Sequence, residues 1–252
     1  MLPNKIMILD TETIGLEKCF VYDIGFIVAE LQENGFYKPI VKSQFIIEQV
    51  YDNRELFETA YYNDKKSKYT SLMKGRNAKK IKMGYATQII TNVLKVHNIE
   101  NVFAYNSSFD KKVFQFNSDY FKIKNPFETK NFVDIMGISN HFIHLLQEYA
   151  EFCITNEFIK ESGYLETNAE KTYAFIKNQI DFIEEHTSLQ DCEIELDILN
   201  YCIEKGFGEI KEYKKQFIKS DKDQVLTIIT KNRTYDFKYK RRRNTKKGIV
   251  LE

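Results

Sequence analysis

Residues 5–12 read KIMILDTE, a short apolar run followed at once by two carboxylates that lie two positions apart. The apolar part, residues 5–9, is typical of a buried strand. We expect the polar residues where this strand opens into a loop. If the extended backbone continues that far, the side chains of Asp10 and Glu12 point to the same face. The stretch therefore predicts a buried strand that presents two carboxylates at its carboxyl end.

Further elements follow along the first half of the chain. Residues 24–29 and 44–47 are apolar runs divided by a turn at residues 34–35, Asn-Gly, and they predict an antiparallel meander with the first strand. Residues 53–82 are rich in charge, Lys and Tyr, and we expect surface helix and loop there. Apolar residues at helical spacing predict a helix over 87–96.

A second carboxylate-bearing strand is predicted at residues 101–105, NVFAY. It would deliver Asn106 and Asp110 at its carboxyl end. A helix is expected to begin near Ser107 or Ser108, either of which could cap it. Since ligands of α/β proteins bind outside the carboxyl ends of strands, this end should lie at the functional edge of the sheet.

The remaining pattern predicts one more strand at residues 132–135 and mostly helix from 143 to about 206. The order of elements fits an α/β fold, with a mixed sheet that has helices on both faces. Composition changes near Glu209. Residues 225–229 and 235–239 predict a β-hairpin, and a Lys/Arg-rich tail follows it.

The third stretch of interest is residues 186–191, HTSLQD. Thr187 and Gln190 have the spacing of a capping box, so a helix is predicted to begin here. Asp191 then lies in the first turn, and His186 lies just outside the helix. A histidine beside a reacting water can accept its proton near neutral pH.

Asp10, Glu12, Asp110 and Asp191 are expected to converge on one edge of the sheet. Carboxylates held that close repel one another unless protons or divalent cations neutralise them. Oxygen ligands without a Cys or His cluster favour Mg²⁺ or Mn²⁺ over Zn²⁺. Each carboxylate alone has an ordinary explanation, such as a solvated turn or the dipole at a helix N-terminus. The metal hypothesis depends on all of them together.

Charge is unevenly distributed although the net charge is only +1. Residues 211–247 hold 14 basic and 4 acidic residues, and the rest of the chain holds 23 basic and 32 acidic residues. An acidic protein that binds phosphate needs cations in a site or a basic segment. The alternating aromatic residues 235–239 favour a surface that grips single strands. An edge hairpin that covers the core and carries a solvated tail explains the same pattern equally well.

Composition indicates a globular chain. It is 43% hydrophobic and 29% charged, with a mean hydropathy of −0.45. No apolar run approaches the roughly 20 residues that a bilayer requires, and residues 1–5 lack the features of a signal peptide. We therefore expect a cytoplasmic protein without membrane partners. The four cysteines lack zinc spacing and are expected to be reduced and mostly buried.

Three motifs in this order resemble those of the DEDDh family of 3′–5′ exonucleases. They are residues 10–13, DTET; Asn106 with residues 109–110, Phe-Asp; and His186 with Asp191, which lies five positions further on. The family includes proofreading subunits of bacterial replicases, RNase T and oligoribonuclease. The resemblance covers roughly the first 205 residues. It implies an RNase H-like core, a mixed five-stranded sheet flanked by helices.

Two departures concern positions that are not metal ligands in the family. Tyr105 stands where many members have His, and Ile14 stands where many have a second Thr. These departures bear on substrate preference more than on activity.

The resemblance also implies a role for each catalytic residue. Asp10 would contact two divalent cations, Mg²⁺ or Mn²⁺. Glu12 and Asp191 would hold one cation, and Asp110 would support the other. His186 would be the general base for the attacking water.

Five further residues are candidates for substrate binding because they lie within or beside the motifs. They are Thr11, Thr13, Ile14, Asn106 and Phe109. Ile14 or Leu16 could be wedged against the terminal base, or could simply pack in the core. Asn106 could orient the substrate or brace its loop.

Other histidines have weaker claims to a function. His141 and His144 are spaced as a helical metal pair, but no nearby ligand completes a site, so surface or core positions are expected. His97 has no partner in the sequence.

Together these features predict an exonuclease domain over residues 1–208 and a basic C-terminal extension over 209–252, which would consist of a helix, the β-hairpin and the Lys/Arg-rich tail. The leading hypothesis is an enzyme that acts on the 3′ end of single-stranded DNA. An exoribonuclease of the RNase T or oligoribonuclease type is the second, because no motif reports on the 2′-hydroxyl. The third is a non-catalytic accessory subunit. A DNA polymerase and a second copy of the chain are the protein partners left open.

Overall fold

The structure is a computed structural model that describes residues 1–60, 64, 66–213, 217–220, 225–229 and 234–238. The chain divides into two compact units. The first comprises residues 1–135 and 184–196, and the second comprises residues 136–183 and 197–252. The division of the chain at residue 208 stays a prediction.

The first unit is built on a mixed six-stranded sheet with the order β4-β3-β2-β1-β5-β6. β1 and β2, and β2 and β3, pair antiparallel, whereas β1–β5, β5–β6 and β3–β4 pair parallel. The strands are β1 (Lys5–Thr13), β2 (Val21–Leu31), β3 (Tyr37–Ile47), β4 (Lys79–Ile81), β5 (Asn101–Ala104) and β6 (Asn131–Asp134).

In its described residues, the first unit has three short helices between β3 and β4, one helix between β4 and β5, and one between β5 and β6. They are α1 (Glu48–Tyr51), α2 (Arg54–Phe57), α3 (Lys66–Lys74), α4 (Met83–Val96) and α5 (Ser108–Phe121). Apolar side chains of α4 and α5 pack on one face of the sheet, where they form a single core with alternate residues of β1 and β2, among them Met7, Leu9 and Phe26. The opposite face of β1 carries Ile6 and Ile8, which are fully buried.

The mixed sheet flanked by helices is confirmed, and the meander, the central strands and the helix over 83–96 follow the sequence pattern. Two details differ. β4 is a sixth, three-residue edge strand within the stretch predicted as helix and loop, too short to show a periodic signal. β1 does not open into a loop at Asp10; it continues to Thr13, with an irregularity between Glu12 and Thr13.

The second unit is largely helical, as predicted for residues 143–206. It contains most of α6 (Ile135–Phe142), then α7 (Gln147–Thr155), α8 (Ala169–Lys177) and the latter part of α9 (Ser188–Glu204). β7 (Phe217–Ser220), β8 (Val225–Ile229) and β9 (Thr234–Lys238) form an antiparallel sheet. β8 and β9 are the predicted hairpin, and the Lys/Arg-rich tail from residue 239 lies outside the described residues. The helix predicted for the extension is not present among its described residues, where β7 forms a third strand.

His144 is a core residue and not a metal ligand. It is 1% exposed, and its ring nitrogens contact the Asn140 side chain at 2.5 Å and the Thr172 hydroxyl at 2.9 Å. Burial lowers the pKa of His144 to about 3, so the ring is neutral. The four cysteines are all buried and free, as expected. Among the described helices, none combines the length and the apolar character that a membrane span requires.

Asn117 on α5 connects the loop after β1 to the helix. Its amide donates to the carbonyls of Cys19 at 2.9 Å and Val113 at 2.8 Å, and its oxygen accepts from the Val21 backbone N–H at 3.2 Å. The side chain is fully buried. These bonds fix residues 14–20, which follow the first carboxylate motif.

We predict that Asn117→Ala lowers the free energy of unfolding by about 3 kcal/mol, because it removes three buried hydrogen bonds and leaves polar backbone groups unpaired. Chemical denaturation measures the change. The control is Gln115→Ala, an exposed position on the same helix, which should change stability by less than about 0.5 kcal/mol. Equal stability of the two variants would contradict the role given to Asn117.

Candidate active site

Asp10 and Glu12 lie on the face of β1 that the first part of α9 covers. The register pairs Asp10 with Gly25 and Glu12 with Asp23 on the adjacent strand β2. Because side chains alternate along a strand, Asp10 and Glu12 share the face of Ile8. The Cys192 thiol of α9 contacts the Ile8 carbonyl at 3.8 Å, so the helix lies directly over this face.

Helix α9 begins at Ser188, at the position the sequence predicts, although the capping interaction differs. The Oε1 atom of Gln190 is buried without a hydrogen-bond partner in the described part of the chain, so it does not complete a capping box. Asp23 satisfies the helix start instead. Its carboxylate accepts from the Ser188 hydroxyl at 2.6 Å and the Ser188 backbone N–H at 3.1 Å. Gln44 also donates to Asp23, at 2.9 Å and 3.1 Å.

Gly25 allows the backbone of α9 to approach the sheet closely. A Cβ atom at this position would lie 2.3 Å from the Ser188 carbonyl carbon and 2.4 Å from the Leu189 nitrogen. Neither of these backbone atoms can move without displacing the helix. Gly25 and Asp23 together set the position of the turn that carries His186 and Asp191.

His186 and Asp191 reach the β1 carboxylates from this turn. One ligand atom each from Glu12, His186 and Asp191 lie within 4.8 Å of one another. His186 adopts a left-handed backbone conformation with φ of 49°. Its carbonyl accepts a 3.4 Å bond from the Tyr69 hydroxyl, and its Nδ1 lies 3.6 Å from the Glu184 carboxylate.

Asp110 enters the site from the first turn of α5, after the parallel strand β5. It is 2% exposed and accepts a 2.7 Å hydrogen bond from the Thr11 hydroxyl. Ser107 precedes the helix but makes no capping bond through its side chain, contrary to one of the two expected caps. Asn106 is exposed with φ of 65°, and its backbone N–H donates to Asp134 at 3.0 Å.

The structure therefore brings Asp10, Glu12, Asp110, His186 and Asp191 into one region. The candidate substrate-binding residues differ in their exposure. The Thr11 hydroxyl donates to the Asp110 carboxylate, and the Thr13 hydroxyl donates to the Gly15 carbonyl at 3.1 Å. Ile14 is 8% exposed and belongs to the core, whereas Leu16 is 74% exposed. Phe109 is half-buried and packs against the core, and Asn106 is open to solvent.

Sequence reasoning missed one carboxylate of this region, Glu195. It lies on α9 one turn after Asp191 and is 2% exposed. The spacing of Asp191 and Glu195, four residues apart on a predicted helix, was the signal that could have identified it. We call Asp10, Glu12, Asp110, Asp191 and Glu195 the carboxylate cluster.

Electrostatics within the cluster favour the neutral carboxyl forms in the absence of a cation. Burial raises the pKa of Asp110 to about 7. Burial, and then the charges of Asp191 and Asp110, raise the pKa of Asp10 well above its usual range. Burial and then Glu184 and Glu12 raise the pKa of Asp191. The Asp191 Oδ1 atom is buried without a hydrogen-bond partner in the described residues.

The carboxylate cluster fits hard divalent cations such as Mg²⁺ or Mn²⁺. Its donors are carboxylate oxygens from several elements, and at least two of these oxygens, on Asp191 and Glu195, have no hydrogen-bond donor among the described residues. An uncompensated buried carboxylate costs several kcal/mol, which a bound cation would offset. This donor set suits Mg²⁺ or Mn²⁺ better than Zn²⁺.

No protein-family model and no curated protein matches the sequence. Solved structures of nucleases do match the fold. The nuclease domain of 3′hExo, a DEDDh family member bound to rAMP, has a TM-score of 0.53 at 11% identity, over 83% of this chain and 97% of that one.

Two further solved structures give similar values. The cell-death related nuclease CRN-4 has a TM-score of 0.53 at 14% identity, over 81% of this chain and 64% of that one. Exonuclease I of E. coli, in complex with a 5cy-dT13 oligonucleotide, has a TM-score of 0.52 at 12% identity, over 81% of this chain and 41% of that one.

Gly25 provides the first test of the site. Gly25→Ala should lower the free energy of unfolding by about 3 kcal/mol, because the added Cβ overlaps the backbone of α9. It should also reduce the stabilisation by Mn²⁺, since Asp191 moves with the helix. The control is Gly84→Ala in α4, where the new Cβ lies an ordinary 3.7 Å from Ile123. Thermal melts with and without Mn²⁺ measure both effects; a Gly25→Ala protein that matches the control contradicts the packing described.

Stability should also depend on pH in the metal-free protein. Burial raises the pKa of Asp23 to about 6 and that of Asp110 to about 7, whereas the pKa of an Asp in the unfolded chain is about 4. Between these values the unfolded chain binds fewer protons than the folded one, so stability falls as pH rises. We expect the EDTA-treated protein to melt on the order of 5 °C lower at pH 8 than at pH 5. Mn²⁺ should restore more stability at pH 8, and a metal-free melting temperature that rises over this interval would contradict the prediction.

Because every identity is below 25%, the matches establish the fold alone: this chain has the fold of the 3′hExo nuclease domain, of CRN-4 and of E. coli Exonuclease I.

Proposed function

We propose that this protein is a metal-dependent 3′–5′ exonuclease that hydrolyses terminal phosphodiesters, preferably of single-stranded DNA. The observation that carries the proposal is the proximity of Glu12, His186 and Asp191 within a buried group of carboxylates. A structural role alone does not explain why a fold would bury several like charges together. The shared fold with nucleases supports the same activity.

In this proposal Asp10, Glu12, Asp110 and Asp191 would hold two divalent cations, Mg²⁺ or Mn²⁺. When bound, the cations supply charge stabilisation for the phosphate and for the leaving oxygen, and they make the attacking water more acidic. The negative charge of the carboxylates repels the terminal phosphate unless cations are bound between them. The carboxylates that hold the cations would therefore determine where the phosphate lies. The acidic site of a phosphate-binding enzyme is thereby explained.

His186 acts as the general base. It accepts the proton of the water that attacks the terminal phosphorus, and the bond from phosphorus to the 3′ oxygen breaks. The 3′ oxygen that leaves takes a proton from solvent, so the products are a nucleoside 5′-monophosphate and a strand one residue shorter with a 3′-hydroxyl. The carboxylates of Glu184 and Asp191 beside the ring favour the imidazolium that forms. The turn that carries His186 is attached to Asp23 through Ser188.

The sugar preference remains part of the proposal. Among the structural neighbours, 3′hExo was solved with rAMP and E. coli Exonuclease I with a dT13 oligonucleotide. The departure at Tyr105, half-buried beside the exposed Asn106, bears on the contacts to the terminal nucleotide. We retain the exoribonuclease of RNase T or oligoribonuclease type as the second candidate. Both sugars must therefore be tested together.

The proposal includes the organisation of the chain and its surroundings. Residues 1–208 form the exonuclease domain, and the basic extension over 209–252 contacts the phosphates of the single strand. A polymerase and a second copy of the chain are the proposed protein partners, and the cytoplasm is the proposed location.

The test uses 5′-labelled DNA and RNA oligonucleotides of matched sequence. With Mg²⁺ or Mn²⁺ we expect a ladder that shortens from the 3′ end and releases mononucleotides, and EDTA should stop it. Asp10→Ala should abolish the ladder. The control is Asp119→Ala, an exposed carboxylate on α5, which should retain full activity. Activity in Asp10→Ala equal to the wild type would contradict the proposal.

His186→Ala should lower kcat by about 10²- to 10⁴-fold, because the proton acceptor is lost, and should leave Mn²⁺ binding largely unchanged. Single-turnover kinetics and Mn²⁺ titration separate the two effects. His97→Ala, at the C-terminus of α4, is the matched control and should be active. An unchanged kcat in His186→Ala would exclude it as the base.

A further inference from the structure

Glu195 is the one carboxylate of the cluster that the proposed mechanism does not use. It lies near the middle of α9, one turn after Asp191 on the same face of the helix. The preceding turn of this face covers β1, where Cys192 contacts the Ile8 carbonyl. Glu195 is only 2% exposed, although acidic residues are almost never fully buried unless they are paired.

The hydrogen bonding of Glu195 is incomplete. The backbone N–H of Tyr105, which follows β5, donates to its carboxylate. The Oε2 atom is buried and has no hydrogen-bond partner among the described residues. Protonation of Glu195 would not remove this problem. If the proton is on Oε2, the O–H has no acceptor, and if it is on the other oxygen, Oε2 has no donor.

The charges that act on Glu195 are negative. Burial has the largest effect and raises the pKa of Glu195 well above its usual range; the charges of Asp110, and then of Glu184 and Asp134, raise it further, whereas the Tyr105 hydrogen bond lowers it. Glu195 acts in turn on Asp10. An unpaired carboxylate among other carboxylates is costly unless a cation lies between them.

We propose that Glu195 is a fifth carboxylate ligand of the metal site and binds the cation on the Asp110 side. The inference rests on the proposed two-cation site. The hydrogen bond from the Tyr105 backbone N–H places Glu195 beside the end of β5, and the chain continues from there into the first turn of α5, which carries Asp110. We therefore assign Glu195 to the cation beside Asp110.

A fifth carboxylate has a chemical consequence. It replaces a neutral ligand, such as water, on the cation beside Asp110, and it gives that position a higher negative charge. Hard divalent cations such as Mn²⁺ and Mg²⁺ then bind it more tightly. Glu195 therefore lets this cation remain in place when no nucleic acid is bound.

The experiment compares the full chain with Glu195→Gln, which keeps the size of the side chain but removes its charge. Each protein is stripped with EDTA, and Mn²⁺ is titrated by calorimetry and by electron paramagnetic resonance, without nucleic acid. We expect Glu195→Gln to weaken one of the two Mn²⁺ sites at least about tenfold and to reduce the thermal stabilisation by Mn²⁺. Glu193→Gln is the matched control, since Glu193 is exposed on the same helix and pairs with Lys42.

Unchanged Mn²⁺ affinity at both sites in Glu195→Gln would overturn the inference, because a purely structural carboxyl would give that result. Should Glu195→Gln not fold, Glu195→Asp retains the charge and shortens the side chain, and the same loss of one Mn²⁺ site is expected. If the wild-type chain is an active nuclease and Glu195→Gln binds Mn²⁺ as the wild type does, only the role given to Glu195 is contradicted. If Glu195→Gln loses one Mn²⁺ site but the wild-type chain shows no nuclease activity, only the proposed function is contradicted.

Discussion

Repulsion between buried carboxylates is the constraint on which the site depends. Asp110, Asp191 and Glu195 are each less than 10% exposed, and burial raises the pKa of all three. A fold that holds such groups together loses stability relative to one with apolar side chains. In the proposed function, divalent cations would remove this cost and, by the same charge, would attract a phosphate. On this proposal, stability and function are linked through the same carboxylates.

The geometry of this arrangement comes from the contact between β2 and α9. Gly25 lets the backbone of α9 lie against the sheet, and Asp23 binds the first residue of the helix through Ser188. Asp191 thus reaches Asp10 and Glu12 from a segment far away in sequence. The sheet provides Asp10 and Glu12 from one strand and Asp110 from the end of its parallel neighbour. Rigid elements, not flexible loops, position most of the carboxylates.

The sequence predicted the parts of this structure that depend on local pattern. The apolar run before Asp10, the two parallel strands and the start of α9 all have short-range signals. Glu195 has only its helical spacing from Asp191, which is a weak signal because an acidic residue within a helix is ordinarily solvated. The packing of α9 on β1, which buries Glu195, has no local signal. Asp23 and Gly25 were likewise hidden within an apolar strand, since their roles depend on a helix more than 160 residues away. The sequence alone also could not tell whether Ile14 is buried or exposed, because its burial depends on contacts with distant parts of the chain.

The central claim is that the carboxylates of β1, α5 and α9 are gathered to bind divalent cations. Its most direct test is a crystal structure of the protein grown with Mn²⁺, with anomalous diffraction recorded near the manganese absorption edge. The account predicts two anomalous peaks coordinated by Asp10, with Glu12 and Asp191 on one side and Asp110 on the other. Well-ordered carboxylates without any anomalous peak between them, at millimolar Mn²⁺ and neutral pH, would contradict it.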